Sequence, residues 1–185
     1  LGQNVNGYRG LMSSGKIANF ASLIEYISEI EEVKRIRFTT SHPNEMNDHL
    51  IDCFGNIKKL ANHLHLPIQS GSDKVLMAMK RNYTTLEYKS IIKKLRKKLP
   101  NVSLTTDLII GFPTETTNDF NLTKKLFIEL DFDYSFSFIY SKRPGTPAAY
   151  LKDETTNEEK LARLHEIQSI NITQGEHYTK KMIGT

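Results

Sequence analysis

The sequence predicts an α/β fold in which parallel strands alternate with helices. Short apolar or alternating runs, typical of strands, are separated by longer segments with apolar residues at helical spacing. Polar loops that contain glycine or proline follow these runs. Parallel strands need a crossover of roughly a dozen residues, which the helical segments supply. A βα barrel and a doubly wound sheet both fit this order, and the long crossovers favour the barrel.

Four segments are predicted to be strands. Residues 36–40 place apolar Ile36 and Phe38 two positions apart, and residues 63–68 alternate between two faces. Residues 102–110 are mostly apolar and end in Gly-Phe-Pro, and residues 132–140 place an aromatic residue at every second position. We expect these strands to lie parallel and adjacent in one curved sheet.

Four helices are predicted before, between and after these strands. Apolar residues follow the 3.6-residue period over 20–30 and over 88–99, and the second of these helices begins with a Thr84–Glu87 capping box. A third helix is expected over about 116–130. A second box, Thr156 with Glu159, begins the last helix.

Composition limits the class of protein. With 185 residues, 38% of them hydrophobic and 25% charged, the chain is expected to form roughly one globular domain. The net charge of +4 permits a polyanionic partner without requiring one. The single cysteine, Cys53, excludes a disulfide framework and a metal site made only of cysteines within the chain. A cytoplasmic location is expected, with no membrane segment. A chain that begins without methionine is expected to be part of something longer.

Functional residues of parallel α/β folds lie at the carboxyl ends of the strands. Loops rich in glycine and hydrogen-bonding side chains follow each predicted strand, and a similar loop opens the chain. Any one of them is more often an ordinary turn, but five together favour a ligand site.

Four further features leave two interpretations open. Asp107, in an apolar strand, is either a site residue or a structural hydrogen-bond partner. His63 and His65 share a strand face, where an interior pair is favoured over a metal site because no third ligand is evident. Cys53 is interpreted as a small core residue. The basic helix at 89–98 is interpreted as a solvated face, with RNA binding as the alternative.

The strand-end loops resemble those of the radical SAM methylthiotransferases. The similar segments cover nearly the whole chain, and they are Leu1–Tyr8, Arg37–Pro43, His63–Asp73, Met79–Tyr83, Thr106–Thr116 and Tyr140–Ala149. The segments Gly-Gln-Asn-Val-Asn and Thr-Thr-Ser-His-Pro are most similar to the branch that acts on tRNA. The resemblance implies a partial parallel βα (TIM-like) barrel of the radical SAM type, incomplete at its N-terminal end. The radical SAM core would span residues 1–180, and residues 181–185 would be the start of a TRAM domain.

The resemblance also implies an activity and its cofactors. Members add a methylthio group to C2 of N6-isopentenyladenosine beside the anticodon, using S-adenosylmethionine, [4Fe–4S] clusters and a sulfur donor. The cluster-binding C-x-x-x-C-x-x-C loop is absent from this chain, so no catalytic or metal-ligating residue is assigned and the chain alone is expected to be inactive. Two alternatives stay open. The substrate could be a threonylcarbamoyladenosine tRNA or a ribosomal protein, or the chain could be a non-catalytic product.

Cofactor contacts are implied by the same resemblance. Arg81 is expected to bind the cofactor carboxylate, because a guanidinium can donate two parallel hydrogen bonds to the two carboxylate oxygens. Gln69 and Ser70 are assigned to the ribose, Gly111 to the adenine, and Gln3 and Asn4 to the methionine amine. Ser41, Asp107 and Phe112 complete the predicted cofactor-binding set.

Overall fold

The computed structural model describes residues 4–183, which form two compact units. The first comprises the described residues up to Pro67 with Lys89–Leu104, and the second comprises Ile68–Tyr88 with the described residues from Thr105 onwards. The helices are α1 (Phe20–Glu29), α2 (Asp48–Asn56), α3 (Asp73–Ala78), α4 (Thr85–Lys98), α5 (Thr117–Leu130) and α6 (Asn157–Met182). The strands are β1 (Arg9–Leu11), β2 (Ile17–Asn19), β3 (His63–His65), β4 (Ser103–Ile110) and β5 (Tyr134–Ile139). Short 3₁₀ helices occur at Val5–Gly7, Pro43–Glu45 and Pro147–Tyr150.

The predicted parallel sheet is confirmed for three of its four strands. The strand order is β3-β4-β5. β4 and β5 pair in parallel from Thr105 opposite Tyr134 to Ile110 opposite Ile139. A further parallel bridge joins Gln69 to Leu108. The described residues contain this open sheet and no closed barrel, in agreement with the predicted partial barrel.

The strand predicted at 36–40 is wrong. Only Ile36 pairs there, in a single parallel bridge to Leu60. The next residues do not continue the bridge, and Thr40 has a φ of 61°, which is incompatible with an extended strand. The structure instead has an antiparallel hairpin that the sequence analysis missed, in which Arg9 lies opposite Asn19.

The aromatic residues of β5 share one face, as predicted, but helices cover the other face. Phe136 and Phe138 are about half exposed, whereas Ser135 is buried. Asn171 of α6 explains why the face that carries Ser135 is the buried one. Its Oδ1 accepts from the Ser135 N–H at 2.7 Å, and its Nδ2 donates to the Ser135 carbonyl at 3.3 Å. A small side chain on this face lets the helix come close enough for both bonds.

The predicted helices are all present, and their capping residues act as expected. The Thr156 side chain accepts from Glu159 N–H while the Glu159 side chain accepts from Thr156 N–H. The same arrangement begins α5 at Thr116 and Asp119. The last helix ends at Met182, two residues beyond the boundary predicted for the core, and 184–185 lie outside the described residues. No helix among the described residues is long and apolar enough to cross a membrane.

Lysines of the basic helix α4 form ion pairs at its surface. Lys94 lies 2.7 Å from Asp48, and Lys98 lies 2.7 Å from Asp52. These four side chains are all between about half and three-quarters exposed. The arrangement agrees with the solvated face favoured by the sequence analysis.

Candidate functional site

A cavity of about 710 Å³ lies at the carboxyl ends of β4 and β5, within the second unit. We call it the β4–β5 cavity. Cavities that hold small ligands are commonly between about 300 and 1,000 Å³. Its walls are formed by Gln69, Ala78, Met79, Lys80, Arg81, Ile109, Phe112, Phe138, Ile139, Tyr140, Ser141, Arg143, Thr146, Pro147 and Ala148. The prediction that a site forms at the strand ends therefore coincides with a ligand-sized space.

Gln69 reaches the cavity through a strained backbone position. Its φ is 74°, in the left-handed region that side chains other than glycine rarely adopt. The position is held from both sides, since Gln69 N–H donates to the Asp107 carbonyl at 2.9 Å and its own carbonyl accepts from Ile109 N–H at 2.9 Å. The backbone thus leaves the sheet directly after its last pairing, and Gln69 joins the cavity wall.

Ser70 lies beside Gln69 but does not line the β4–β5 cavity. Its hydroxyl is fully buried, 3.3 Å from the Thr123 hydroxyl, and it accepts from the Ser72 N–H at 3.2 Å. Gly71 packs so closely on α5 that an added Cβ would lie 2.5 Å from the Thr123 Cα. This loop is attached to α5, and the predicted ribose contact of Ser70 stays a prediction.

Arg81 reaches the cavity from the segment after α3. Tyr83 anchors that segment, because its buried hydroxyl donates to the Ile68 carbonyl at 2.9 Å, and burial raises the pKa of Tyr83 to about 12. Arg81 itself is half-buried, and its backbone N–H donates to the Leu76 carbonyl at 3.0 Å. Its guanidinium forms no ion pair with any described carboxylate, so it is available to a ligand.

The loop after β4 is braced from α6. Gly111 has a φ of 68°, and an added Cβ would lie 2.4 Å from the Lys160 Cγ. The Glu115 Oε1 accepts from Gly111 N–H at 3.1 Å and lies 2.9 Å from Arg163 Nη1. Glu115 has a fully buried side chain; burial raises its pKa, and the bonds from Gly111 and Arg163 act in the opposite direction. This buried pair was not found by sequence analysis, because nothing in local spacing links residues 48 positions apart.

Two aromatic rings close one side of the cavity. Phe112 and Tyr140 meet edge to face with ring centroids 5.1 Å apart. The Tyr140 hydroxyl is buried and has no hydrogen-bond partner among the described residues. A buried hydroxyl without a partner costs free energy, so a bound ligand that accepts or donates here would be stabilised.

The predicted residues of the first unit lie in loops that are tied to one another. Asn4 is exposed and Ser41 is buried with a hydroxyl that lacks a described partner, while Gln3 lies outside the described residues. Asn6, which the sequence analysis did not single out, bonds His42 twice, through the His42 carbonyl at 2.9 Å and the His42 N–H at 2.8 Å. The Gly-Gln-Asn-Val-Asn and Thr-Thr-Ser-His-Pro segments are thereby joined.

Asp107 and the two histidines do not line the β4–β5 cavity. Asp107 is half-buried opposite Phe136, on the same exposed face of the sheet. His63 and His65 are half-buried, and burial lowers the pKa of His63. Neither histidine belongs to a group of three potential metal ligands within the described residues.

Cys53 is a core residue, as predicted, with 2% of its surface exposed in α2. Glu25 and His49 lie nearby, with ligand atoms within 4.8 Å of one another and of the thiol. Burial raises the pKa of Cys53 to about 11, and the charges of Glu25 and Asp52 add to the effect. The thiol is therefore protonated at neutral pH.

Comparison with known families defines the class of protein. The Radical SAM superfamily matches residues 9–127, which is most of the chain, and the chain belongs to this superfamily. The whole chain is also 57% identical to the tRNA-2-methylthio-N(6)-dimethylallyladenosine synthase of Methylobacillus flagellatus and 58% identical to the protein of that name from Chromobacterium violaceum. It spans 42% of the length of each of these relatives.

Solved structures agree on the fold. Coproporphyrinogen III oxidase from Escherichia coli, described as a radical SAM enzyme, superposes with a TM-score of 0.64 at 20% identity, over 84% of this chain and 37% of that one. Streptococcus suis SuiB bound to its precursor peptide SuiA gives a TM-score of 0.51 at 15% identity, over 85% of this chain and 33% of that one. At such identities the likeness concerns the fold alone.

Proposed function

We propose that this chain is part of a radical SAM enzyme that methylthiolates C2 of N6-isopentenyladenosine in tRNA. The observation that carries the proposal is the identity of 57% along the entire chain to a synthase named for this modification. The match runs over all 185 residues, so the aligned region includes every residue that lines the β4–β5 cavity. The partners proposed are tRNA, S-adenosylmethionine and a sulfur donor, and the proposed location is the cytoplasm.

The β4–β5 cavity fits S-adenosylmethionine in its size and in the chemistry of its walls. Arg81 supplies a guanidinium for the carboxylate, and Phe112 with Ile109 supplies an apolar surface for the adenine. Gln69 supplies an amide for the ribose hydroxyls, and the unsatisfied Tyr140 hydroxyl offers one more hydrogen bond. When bound, the cofactor supplies the radical that removes the C2 hydrogen. The residues of this chain hold and orient it.

The residues of this chain do not fit a [4Fe–4S] cluster. Such a cluster is held by several cysteine thiolates, and the chain has one cysteine, which is buried and protonated. The complete protein would supply the thiolates from outside these 185 residues. The residues of this chain therefore have no assigned role in a reaction step that takes place at a cluster.

Nucleoside analysis of tRNA tests the proposed function. The complete gene would be expressed in a bacterial strain that lacks its own methylthiotransferases, and digested tRNA would be analysed by mass spectrometry. We expect 2-methylthio-N6-isopentenyladenosine to appear, and the Arg81→Ala variant to restore much less of it. A methylthio group on threonylcarbamoyladenosine, or no methylthiolated nucleoside at all, would contradict the proposal.

A further inference from the structure

The segment after β5 carries a second guanidinium to the β4–β5 cavity. Arg143 lies in the Ser141–Ala148 segment, is exposed, and forms part of the cavity wall. A turn fixes this segment, because Thr146 donates to the Arg143 carbonyl both from its N–H at 3.3 Å and from its hydroxyl at 2.8 Å. Arg143 is therefore presented to solvent at the mouth of the cavity from a defined backbone position.

The charges around the cavity are unbalanced. Its walls include Lys80, Arg81 and Arg143, and the described residues contribute no carboxylate to them. Neither arginine lies within ion-pair distance of a carboxylate elsewhere in the described chain. Lys94 and Lys98 of α4 differ, since each is paired with an aspartate. Three cationic side chains with no carboxylate among the described lining residues thus surround one cavity.

The proposed cofactor does not balance these charges. S-adenosylmethionine has one carboxylate, which Arg81 would occupy, and it adds two positive groups, the sulfonium and the ammonium. Arg143 would then lie near a ligand of net positive charge with no anion of its own. Because like charges repel, an anionic second ligand beside Arg143 would stabilise the site when the cofactor is bound.

We propose that Arg143 binds a backbone phosphate of the RNA substrate at the mouth of the β4–β5 cavity. The inference rests on the proposed function, because it takes the second ligand to be RNA. Arginine suits a phosphate by its bidentate fork, and phosphate contacts fix the position of a nucleic acid without reading its sequence. Arg143 is thus a positioning residue for the substrate, and it has no part in holding the cofactor.

Salt dependence of RNA binding tests this role. The complete protein, with its clusters reconstituted, would be titrated with a fluorescent anticodon stem-loop that contains isopentenyladenosine, at several potassium chloride concentrations. Each phosphate contact contributes roughly 0.7–0.9 to the slope of log affinity against log salt. We expect Arg143→Ala to lower the slope by about one such contact and to weaken binding by about tenfold at low salt. We expect Arg143→Lys to keep the slope.

Two controls separate this role from others. Lys97→Ala removes the same charge from the exposed surface of α4 and should leave the slope unchanged. The affinity of Arg143→Ala for S-adenosylhomocysteine, measured by calorimetry, should stay within about twofold of wild type.

Three results would overturn the inference. An unchanged salt slope in Arg143→Ala, or a parallel loss of S-adenosylhomocysteine binding, would overturn it alone. Failure of the wild-type protein to bind the stem-loop would overturn the proposed function together with it.

Discussion

The hydroxyl of Ser72 donates a hydrogen bond of 2.7 Å to Asp119 Oδ1, and so joins the beginnings of two helices. Ser72 is the N-cap of α3, and Asp119 belongs to the capping box of α5. Lys74 adds an ion pair to the same carboxylate at 3.2 Å. One buried carboxylate thereby holds together the loops that follow β3 and β4.

Asp119 should make the protein sensitive to acid. Burial alone would raise the pKa of Asp119, but hydrogen bonds from Thr116 and Ser72 outweigh it and lower the pKa to about 2. A lowered pKa contributes stability above the unfolded value of 3.8, and this contribution is lost as the pH falls towards about 2. The shift corresponds to about 2 kcal/mol. We expect urea unfolding to show this loss in wild type and to show less of it in Asp119→Asn. Asp48→Asn, which removes an exposed partner of Lys94, should keep the wild-type pH dependence.

Gly71→Ala should destabilise the protein. An added Cβ would lie 2.5 Å from the Thr123 Cα and 2.7 Å from the Leu122 carbonyl oxygen, so the backbone itself must move. Forced packing of this kind costs about 1–3 kcal/mol. Gly55→Ala is the matched control, because its Cβ would make ordinary contacts at 3.6 Å and lies inside α2. We expect the control to be neutral or slightly stabilised in the same denaturation experiment, and equal effects would contradict the packing argument.

Arg81→Ala should weaken cofactor binding by about tenfold to a hundredfold. A charge-assisted hydrogen bond of this kind is worth roughly 1.5–3 kcal/mol. Arg81→Lys should recover only part of the affinity, since an ammonium lacks the planar fork. Gln69→Ala should cost less, because a neutral hydrogen bond is nearer to ~1 kcal/mol. Calorimetry with S-adenosylhomocysteine on the complete protein would measure these effects. An unchanged dissociation constant in Arg81→Ala, with the circular dichroism spectrum intact, would remove Arg81 from the site.

Cys53 should be unreactive in the folded protein. With a pKa of about 11, only a very small fraction of the thiol is ionised at pH 8, and the thiolate is the reactive form. We expect iodoacetamide to modify Cys53 roughly a hundredfold more slowly in buffer than in 6 M urea, which is about the ratio of the ionised fractions for a pKa of about 11 and the ordinary 9.0. Mass spectrometry would follow the reaction. Equal rates in the two conditions would show that the thiol is exposed.

The 185-residue chain should bind no [4Fe–4S] cluster after anaerobic reconstitution with iron and sulfide. It contains one cysteine where several thiolates are needed. Iron and sulfide analysis, together with the visible spectrum, would measure this. Stoichiometric iron with the brown absorbance of a cluster would contradict the expectation.

Local patterns in the sequence were sufficient for four of the helices and for three strands of the parallel sheet. Capping boxes and helical spacing are properties of neighbouring residues, and Thr156 with Glu159 forms in the structure the bonds that the pattern predicts. The prediction of a strand at 36–40 was wrong, because the spacing of Ile36 and Phe38 does not show whether a partner strand lies alongside. The pairing stops after the single bridge at Ile36, and the left-handed Thr40 shows that the segment is not extended as far as residue 40.

The candidate site likewise has features that local sequence predicts and features that only the tertiary structure decides. The sequence by itself predicted the superfamily, which the family comparison confirms. Gln69, Arg81 and Phe112 lie in contiguous motifs at strand ends and line the β4–β5 cavity, and their cofactor contacts stay predictions. Only the tertiary structure decided that Ser70 bonds to Thr123 away from the cavity and that Glu115 is held by Arg163. These pairs are 53 and 48 residues apart. Such contacts arise when packing brings distant helices onto one loop, and no local spacing along the chain records which residues will meet.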